Sequence, residues 1–215
     1  MCLVQTNRTM KRNKGFITLK IKKGRWLYLL GNASIIQYGE KFFGLTTAHC
    51  FLSETNLINL DKVYIEYYSR GKLNCIKIGK VFIHPEWKSK GSVFRDLAVF
   101  GIPENLPKPE NVYFIGNSFH TLQDTVILAK TGFLKKNYCV RLKDSDYILS
   151  DTNMIGWRYK MPAGVSGAPI FLESNGKLYQ IGIVSARIRR YKTITWGILL
   201  DENNLNFIIN KIGVI

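Results

Sequence analysis

A serine hydroxyl held between two glycines is the first feature of this sequence that could do chemistry. Ser166 lies between Gly164 and Gly167 in the stretch AGVSGAPIF, residues 163–171. Glycine lets the main chain take positive φ and pass close to a ligand. Such a turn can direct the N–H groups of Gly164 and Ser166 at a developing oxyanion. Because Gly-x-Ser-Gly also occurs in ordinary loops, this stretch alone does not establish a nucleophile.

Two earlier stretches supply the groups that an activated serine needs. LTTAHC, residues 45–50, is an apolar strand that ends at His49, and RDLAVF, residues 95–100, opens an apolar strand with Asp96. An imidazole of pKa about 6.5 is mostly neutral at neutral pH and can remove a serine proton. A carboxylate can hold the ring by accepting its other N–H. The order histidine, aspartate, serine therefore predicts base, orienting acid and nucleophile for acyl transfer.

Other histidines and aspartates compete for these roles. His84 precedes Pro85 in a predicted turn, which favours a structural role, and His120 lies in a polar loop with no motif around it. An isolated histidine is more often a satisfied core residue than a catalyst. Further aspartates could orient a base, but none of them opens an Asp-Leu-Ala-Val strand. They are Asp61, Asp124, Asp144, Asp146 and Asp151.

Short, regularly spaced strands with glycine-rich turns predict an all-β protein around these residues. Apolar residues at 17, 19 and 21 alternate with polar residues at 18, 20 and 22, as in a half-buried strand. A C-terminal helix is predicted over 202–212, where Asp201 can cap and Gly213 can end it. The other strands are expected at 26–38, 42–47, 63–68, 73–84, 97–101, 112–116, 125–133, 138–142, 146–149, 170–173, 179–188 and 193–200.

Composition divides the 215 residues into four segments. Residues 1–14 are polar and basic and are expected to form a flexible arm. Residues 102–111 hold three of the six prolines and have the composition of a linker. This linker would separate a first domain, 15–101, which carries the histidine and the aspartate, from a second domain, 112–215, which carries the serine.

The three motifs together resemble those of the chymotrypsin-like (trypsin-like) serine peptidases. Hallmarks of that family are Thr-Ala-Ala-His-Cys, Asp-(Ile/Leu)-Ala and Gly-(Asp/Asn)-Ser-Gly-(Gly/Ala)-Pro, and each is nearly intact here. The stretches IHPEW at 83–87 and GIVS at 182–185 match further landmarks. The resemblance covers roughly residues 16–212 and is closer to cytosolic bacterial, viral and high-temperature-requirement-type members than to secreted digestive ones.

This resemblance implies a fold, an activity and a site. The fold would be two antiparallel six-stranded β-barrels with a C-terminal helix, His49 and Asp96 on the first barrel and Ser166 on the second. The activity would be that of a serine endopeptidase, which hydrolyses peptide bonds through an acyl-enzyme and needs no metal or organic cofactor. Gly164 and Ser166 would form the oxyanion hole. The partners would be a protein or peptide substrate.

Two departures from the family pattern concern activation and location. Secreted members are usually activated by a cleavage that frees a terminus to pair with an aspartate before the serine, but Val165 stands there. That activation is ruled out, so we expect a site that is preorganised or ordered by an activating protein partner.

Secreted members also bridge the cysteine after the histidine to one about sixteen residues earlier, and Cys50 has no such partner within 31–34. With no apolar signal core at the N-terminus, this predicts a cytoplasmic protein, in the bacterial cytosol or, for a viral protein, the host cytoplasm. No run reaches the roughly 18 apolar residues of a membrane span.

The family register also indicates a specificity pocket. Lys160, six residues before the serine, would lie at its base, and Arg187 would line its wall. Two cations there would favour an acidic or polar side chain before the scissile bond, whereas a loop shift of one or two residues would place both in solvent. Ser185, Ala186 and Arg187 are expected to bind the substrate main chain as an edge strand.

The net charge of +16, from 31 Lys and Arg against 15 Asp and Glu, attracts anionic partners but also suits a solvated surface. No aromatic-interleaved RNA motif accompanies the basic groups, and strand alternation explains the first of them, so nucleic acid is not the favoured partner. The competing hypothesis is a catalytically silent module of the same fold that binds peptide or nucleic acid. The two basic groups are Lys20, Lys22, Lys23 and Arg25, and Arg187, Arg189, Arg190 and Lys192.

Overall fold

The chain folds mostly into β-strands, arranged in two sheets, with a helix at the C-terminal end. The strands within each sheet are antiparallel apart from one short parallel pair, so the all-β prediction is confirmed. The computed structural model describes residues 17–53, 56–90, 92–103, 114–115, 125–130, 137–141, 147–150, 154–158, 161–174, 177–185 and 194–213. The expected arm at 1–14 and most of the expected linker lie outside these residues.

The first sheet has seven strands. In chain order they are β1 (Ile17–Lys23), β2 (Trp26–Tyr38), β3 (Lys41–Thr46), β6 (Val63–Ser69), β7 (Lys72–Lys77), β8 (Val81–Ile83) and β9 (Ala98–Gly101), while β4 (Leu52–Ser53) and β5 (Asn56–Leu57) form a separate small pair. Their order across the sheet is β7-β6-β1-β2-β3-β9-β8.

The second sheet follows later in the chain and includes the strand after Ser166. Its strands are β10 (Phe114–Ile115), β11 (Thr125–Lys130), β12 (Asn137–Arg141), β13 (Tyr147–Ser150), β14 (Met154–Trp157), β15 (Pro169–Ser174), β16 (Lys177–Ser185) and β17 (Thr195–Leu199). Their order is β12-β11-β15-β16-β17-β14-β13, and β10 pairs with β16 in parallel. Within the described residues, the strand pairs do not close either sheet into a barrel.

One expected strand, 73–84, is instead two strands at opposite ends of the first sheet. The chain leaves β7 after Lys77 and enters β8 at Val81. Between them the Gly79 N–H donates to the Gly101 carbonyl at 2.8 Å. A Cβ on Gly79 would lie 3.1 Å from that oxygen, so glycine permits the close crossing. The sheet has seven strands rather than six in part because of this division.

Two further elements were not expected from the sequence. The turn predicted at the His84-Pro85 stretch is a short helix, α1 (Pro85–Lys90). The strand β14 was missed because its sequence, MIGW, has no alternation. Gly156 of this strand is needed because a Cβ there would lie 2.8 Å from the Trp196 ring.

The C-terminal helix, α2 (Glu202–Ile212), begins and ends where the sequence predicted. The Asp201 carboxylate accepts a hydrogen bond from the Asn204 N–H at 2.8 Å, which caps the first turn. The apolar side of α2 packs into a cluster that contains residues of both sheets, among them Leu45 and Ile183. Of the helices in the described residues, none is long and apolar enough to cross a membrane.

Candidate active site

Asp96 is the most heavily hydrogen-bonded group of the site. It follows a 3-10 turn, Val93–Arg95, and is buried immediately before β9. Its Oδ1 accepts from the main-chain N–H of His49 at 2.8 Å. Its Oδ2 lies 2.5 Å from Nδ1 of the His49 ring and accepts from Ser185 Oγ at 2.9 Å. Both oxygens of this buried carboxylate therefore accept hydrogen bonds.

The His49 ring is held by this carboxylate at one nitrogen and is open at the other side. His49 lies in the 3-10 turn Ala48–Phe51 that follows β3. Its side chain is 15% exposed, against 3% for Asp96. In the neutral tautomer that donates Nδ1–H to the carboxylate, Nε2 carries no proton and can accept one. The geometry is therefore that of an oriented general base.

The turn that carries Ser166 is built on two glycines with positive φ. Gly164 has a φ of 89° and Gly167 a φ of 79°, as the sequence stretch indicated. The Ala168 N–H donates to the Val165 carbonyl at 3.0 Å, and the Gly167 N–H donates to the Val184 carbonyl at 2.8 Å. Val165 itself is fully buried in an apolar cluster of the second sheet. Apolar packing of Val165 therefore anchors the loop at the position where activation by cleavage would need an aspartate.

Asn32 of β2 connects the first sheet to this turn. Its N–H donates to the Ser166 carbonyl at 2.7 Å, and its Nδ2 donates to the Gly164 carbonyl at 2.8 Å. The Asn32 carbonyl in turn accepts from Thr46 Oγ1 at 2.7 Å. A Cβ on Gly167 would lie 2.1 Å from the Asn32 oxygen, so only glycine fits there. Asn32 therefore fixes the peptide between Gly164 and Val165 and the peptide between Ser166 and Gly167.

The residues beside Ser166 and His49 also contact a common neighbour, Gly31. A Cβ on Gly31 would lie 2.6 Å from Cys50 Sγ and 2.8 Å from the Ser166 carbonyl oxygen. Cys50 is a buried thiol whose Sγ lies 3.1 Å from Thr47 Oγ1. The strand β2 thus passes close to both the turn that carries Ser166 and the stretch that carries His49, and glycine at 31 permits it.

A second path joins Asp96 to Ser166 through the second sheet. Asp96 binds Ser185, and the preceding Val184 accepts from Gly167, the neighbour of Ser166. Among the hydrogen bonds of the described residues, none joins Ser166 Oγ to the His49 ring. Nucleophile and base hydrogen bonds are often long in a free enzyme and shorten with substrate. The structure therefore brings the three predicted residues into one region, with the histidine and aspartate in direct contact.

The rival candidates in the described part of the chain have other roles. Asp61 is exposed and pairs with Lys77 at 2.6 Å, which lowers the pKa of its carboxyl. His84 is buried, and its Nδ1 accepts from the Glu86 N–H at 3.3 Å. The remaining candidates lie outside the described residues: His120, Asp124, Asp144, Asp146, Asp151 and the pocket residues Lys160, Ala186 and Arg187.

Two residues of the site were not predicted in the roles they have. Ser185 was expected to bind the substrate main chain, and the hydrogen bond from its buried hydroxyl to Asp96 was not predicted. Asn32 was not singled out, although a polar residue inside the apolar run LLGNA was a signal that could have found it. Buried amides are normally hydrogen-bonded, so such a residue indicates a specific partner.

Comparison with known families does not assign the chain. No family model matches it, and no curated protein matches it significantly. Within the described ranges, no three His, Cys, Asp and Glu side chains form a group that could hold a metal ion. The argument for function therefore rests on the geometry of the site.

Proposed function

We propose that the protein is a serine endopeptidase of the chymotrypsin-like type, with Ser166 as nucleophile, His49 as base and Asp96 as orienting acid. One observation carries the proposal: a buried carboxylate holds His49 by both its main-chain N–H and its ring, in the region where a Gly-Val-Ser-Gly turn meets β2. The proposal includes the expected fold, in which each of the two sheets would close into a β-barrel.

The reaction would proceed in two steps, acylation of Ser166 and hydrolysis of the acyl-enzyme. His49 Nε2 takes the proton of Ser166 Oγ as that oxygen attacks the peptide carbonyl, and the imidazolium then gives the proton to the leaving amine. An acyl-enzyme is left on Ser166. Water, deprotonated by the same nitrogen, attacks the acyl carbon, and the proton returns to Ser166. Asp96 stays ionised and stabilises the imidazolium.

The negative charge of each tetrahedral intermediate would be met by the N–H groups of Gly164 and Ser166. The positive φ of Gly164 and the hydrogen bond from Asn32 to its carbonyl support this assignment, because both set the peptide orientation of the turn. Loss of one such donor costs about 10² to 10³ in rate. Preference for an acidic or polar residue before the scissile bond, set by Lys160 and Arg187, is part of the same proposal.

The test is covalent labelling with a fluorophosphonate, which reacts only with an assembled nucleophile, base and oxyanion hole. Wild type should be labelled and Ser166→Ala should not. His49→Ala should react at least about 10⁴-fold more slowly than wild type. Ser34→Ala is the matched control, because it removes another buried serine hydroxyl outside the site. Absence of labelling in folded wild-type protein would contradict the proposal and favour a module that binds without cutting.

A further inference from the structure

The tip of the first hairpin, residues 22–28, exposes an unusual set of apolar side chains. Trp26 is 72% exposed, Tyr28 is 51% exposed and Leu27 is 38% exposed. They are consecutive in sequence, at the start of β2. Scattered exposed apolar residues are normal on a protein surface, but here Trp26 and Tyr28 lie on one face of the hairpin tip and Leu27 on the other, so both faces of the tip are apolar.

Cations stand directly opposite these side chains on both faces of the hairpin. The tight turn uses Gly24, which has a φ of 59°. Lys23 pairs with Trp26 on one face and Lys22 pairs with Leu27 on the other. The Lys23 ammonium also lies 5.9 Å from the centre of the Tyr28 ring. Each face of the tip therefore combines an apolar surface with a positive charge.

The positive charge at this end of the chain has no acidic residue near it in the sequence. The first 39 residues contain eight Lys and Arg and no Asp or Glu, so all fifteen acidic residues come later. Lys20 pairs with Glu66 of β6 at 2.5 Å. In the part of the chain that the structure describes, Lys22, Lys23 and Arg25 pair with no carboxylate. Half of the net charge of +16 thus comes from this segment, which contains the tip and the residues that precede it.

We propose that the hairpin tip binds the surface of an anionic lipid bilayer. Trp and Tyr favour the headgroup level of a membrane, Leu favours the acyl boundary, and nearby Lys and Arg are attracted to anionic headgroups. The tip presents these groups together, with cations beside the apolar side chains on both faces. We therefore expect the hairpin to enter the membrane surface with its tip first.

The side-chain chemistry favours lipid over nucleic acid. Residues 19–31 contain no Ser, Thr, Asn or Gln that could hydrogen-bond a base or sugar. An exposed leucine gains little from a nucleic acid, whose binding uses aromatic platforms along a basic groove. The tip lies five residues before Gly31 on β2, about 17 Å along the strand from the serine turn at the usual rise. A bound bilayer would thus lie near the candidate cleft without occupying it.

The test is sedimentation with vesicles, using Ser166→Ala protein so that hydrolysis plays no part. Binding to vesicles of equimolar phosphatidylcholine and phosphatidylglycerol, and weak binding to phosphatidylcholine alone, is expected. Replacing Lys22, Lys23 and Arg25 together by Gln should weaken binding about a hundredfold. Trp26→Ser with Leu27→Ser should abolish it. The matched control, Tyr38→Ser with Leu73→Ser, removes side chains of similar exposure (55% and 52%) elsewhere and should bind normally.

Fluorescence identifies the side chain that enters the bilayer. Of the other three tryptophans, Trp157 and Trp196 are buried and Trp87 is half-buried. A blue shift on adding vesicles that disappears in Trp26→Phe would therefore be assigned to Trp26. Absence of binding to the anionic vesicles, or equal binding by the tip and control variants, would overturn the proposal. So would tip-dependent retention of single-stranded RNA, or a tip-dependent dimer, in protein that does not bind vesicles.

Discussion

At the scale of single residues, the Asp96 carboxylate can be satisfied only as an acceptor. Donors meet both of its oxygens: the His49 main chain at Oδ1, and the His49 ring and Ser185 at Oδ2. In Asp96→Asn, the amide NH₂ group takes the place of one carboxylate oxygen. It then faces either the main-chain N–H of His49 or the Nδ1–H of its ring, unless the ring adopts the tautomer that protonates Nε2. That tautomer cannot act as base, so we expect fluorophosphonate labelling to slow by about 10⁴-fold, with little change in the circular dichroism spectrum.

Ser185→Ala is the control for this substitution. It removes one of three donors but leaves the ring tautomer unchanged, so labelling should slow far less. The free energy of unfolding should fall by about 2 kcal/mol, since a hydrogen bond to a buried charge is lost. If Ser185→Ala slowed labelling as much as Asp96→Asn, the tautomer would not be the reason for the effect.

Residue identities were predictable where a local motif carried the chemistry. His49, Asp96 and Ser166 each stand in a short stretch whose composition indicates a role, and the two glycines beside Ser166 do have positive φ. The partners Asn32 and Ser185 were not assigned, because their contacts depend on which strands meet across the molecule. Asn32 and Gly164 are 132 residues apart in sequence, and no local pattern encodes that contact.

At the scale of elements, α2 and the segment that leads into Asp96 are joined through charged and aromatic contacts. Arg95 donates to both carboxylate oxygens of Asp201, at 2.9 and 2.7 Å, directly before α2 begins. The buried His84 ring lies 4.7 Å from the Phe207 ring of α2. The main-chain N–H of His84 donates at 2.9 Å to the carbonyl of Leu97, the residue that follows Asp96. The helix thus stabilises the loop that carries the orienting acid.

This packing predicts a pH dependence of stability. Burial, and then the Arg95 charge, lower the pKa of His84 against the opposing effects of the Glu86 and Asp201 carboxylates. The unfolded chain therefore binds this proton more tightly than the folded protein. Stability should be constant above about pH 6.5 and should fall as the pH drops through the lowered pKa of the folded state.

The variant His84→Asn checks the origin of this dependence. Its side chain can still accept from the Glu86 N–H, but it does not titrate and loses the contact with Phe207. At neutral pH the free energy of unfolding should fall by about 1 kcal/mol, while the loss of stability below pH 6.5 should become shallower. Urea unfolding across this pH range measures both. A slope equal to that of wild type would assign the titration to another group.

Elements were predictable when periodicity and end signals agreed. β2 and α2 have the bounds that the sequence indicated, because the turns at Gly24 and Gly39 define one and Asp201 with Gly213 defines the other. Expected strand 73–84 failed because the pattern continues through Gly79, although the chain changes neighbours there. Alternation reports which face is buried and does not report which strand lies alongside.

At the scale of the whole molecule, the candidate site lies where the two sheets meet. An apolar cluster shared by both sheets and α2 supports it from behind, and Asn32 and Asp96 cross to the second sheet by hydrogen bonds. His49 and Asp96, the proposed base and acid, therefore adjoin strands of one sheet, and Ser166, the proposed nucleophile, precedes a strand of the other. The geometry of the site should depend on how the sheets are joined as much as on the catalytic residues themselves.

Asn32→Ala tests this dependence. The substitution keeps the main-chain hydrogen bond to Ser166 but removes the donor to the Gly164 carbonyl, which is then unsatisfied. We expect the free energy of unfolding to fall by about 1 to 3 kcal/mol. Labelling should slow by tenfold or more, because the turn that presents the Gly164 and Ser166 N–H groups loses its fixed orientation, up to the roughly 10² to 10³ that loss of an oxyanion donor costs.

Thr46→Val provides the matched comparison for the joint between the sheets. It removes the hydrogen bond from Thr46 Oγ1 to the Asn32 carbonyl, which lies wholly within the first sheet. The loss of stability should be of similar size, because each variant loses one side-chain hydrogen bond, which is part-buried for Asn32 and buried for Thr46. Labelling per folded molecule should stay near the wild-type rate. If both variants slowed labelling equally, the effect would follow from general loosening of β2, and the specific link from Asn32 to the serine turn would not control the reaction.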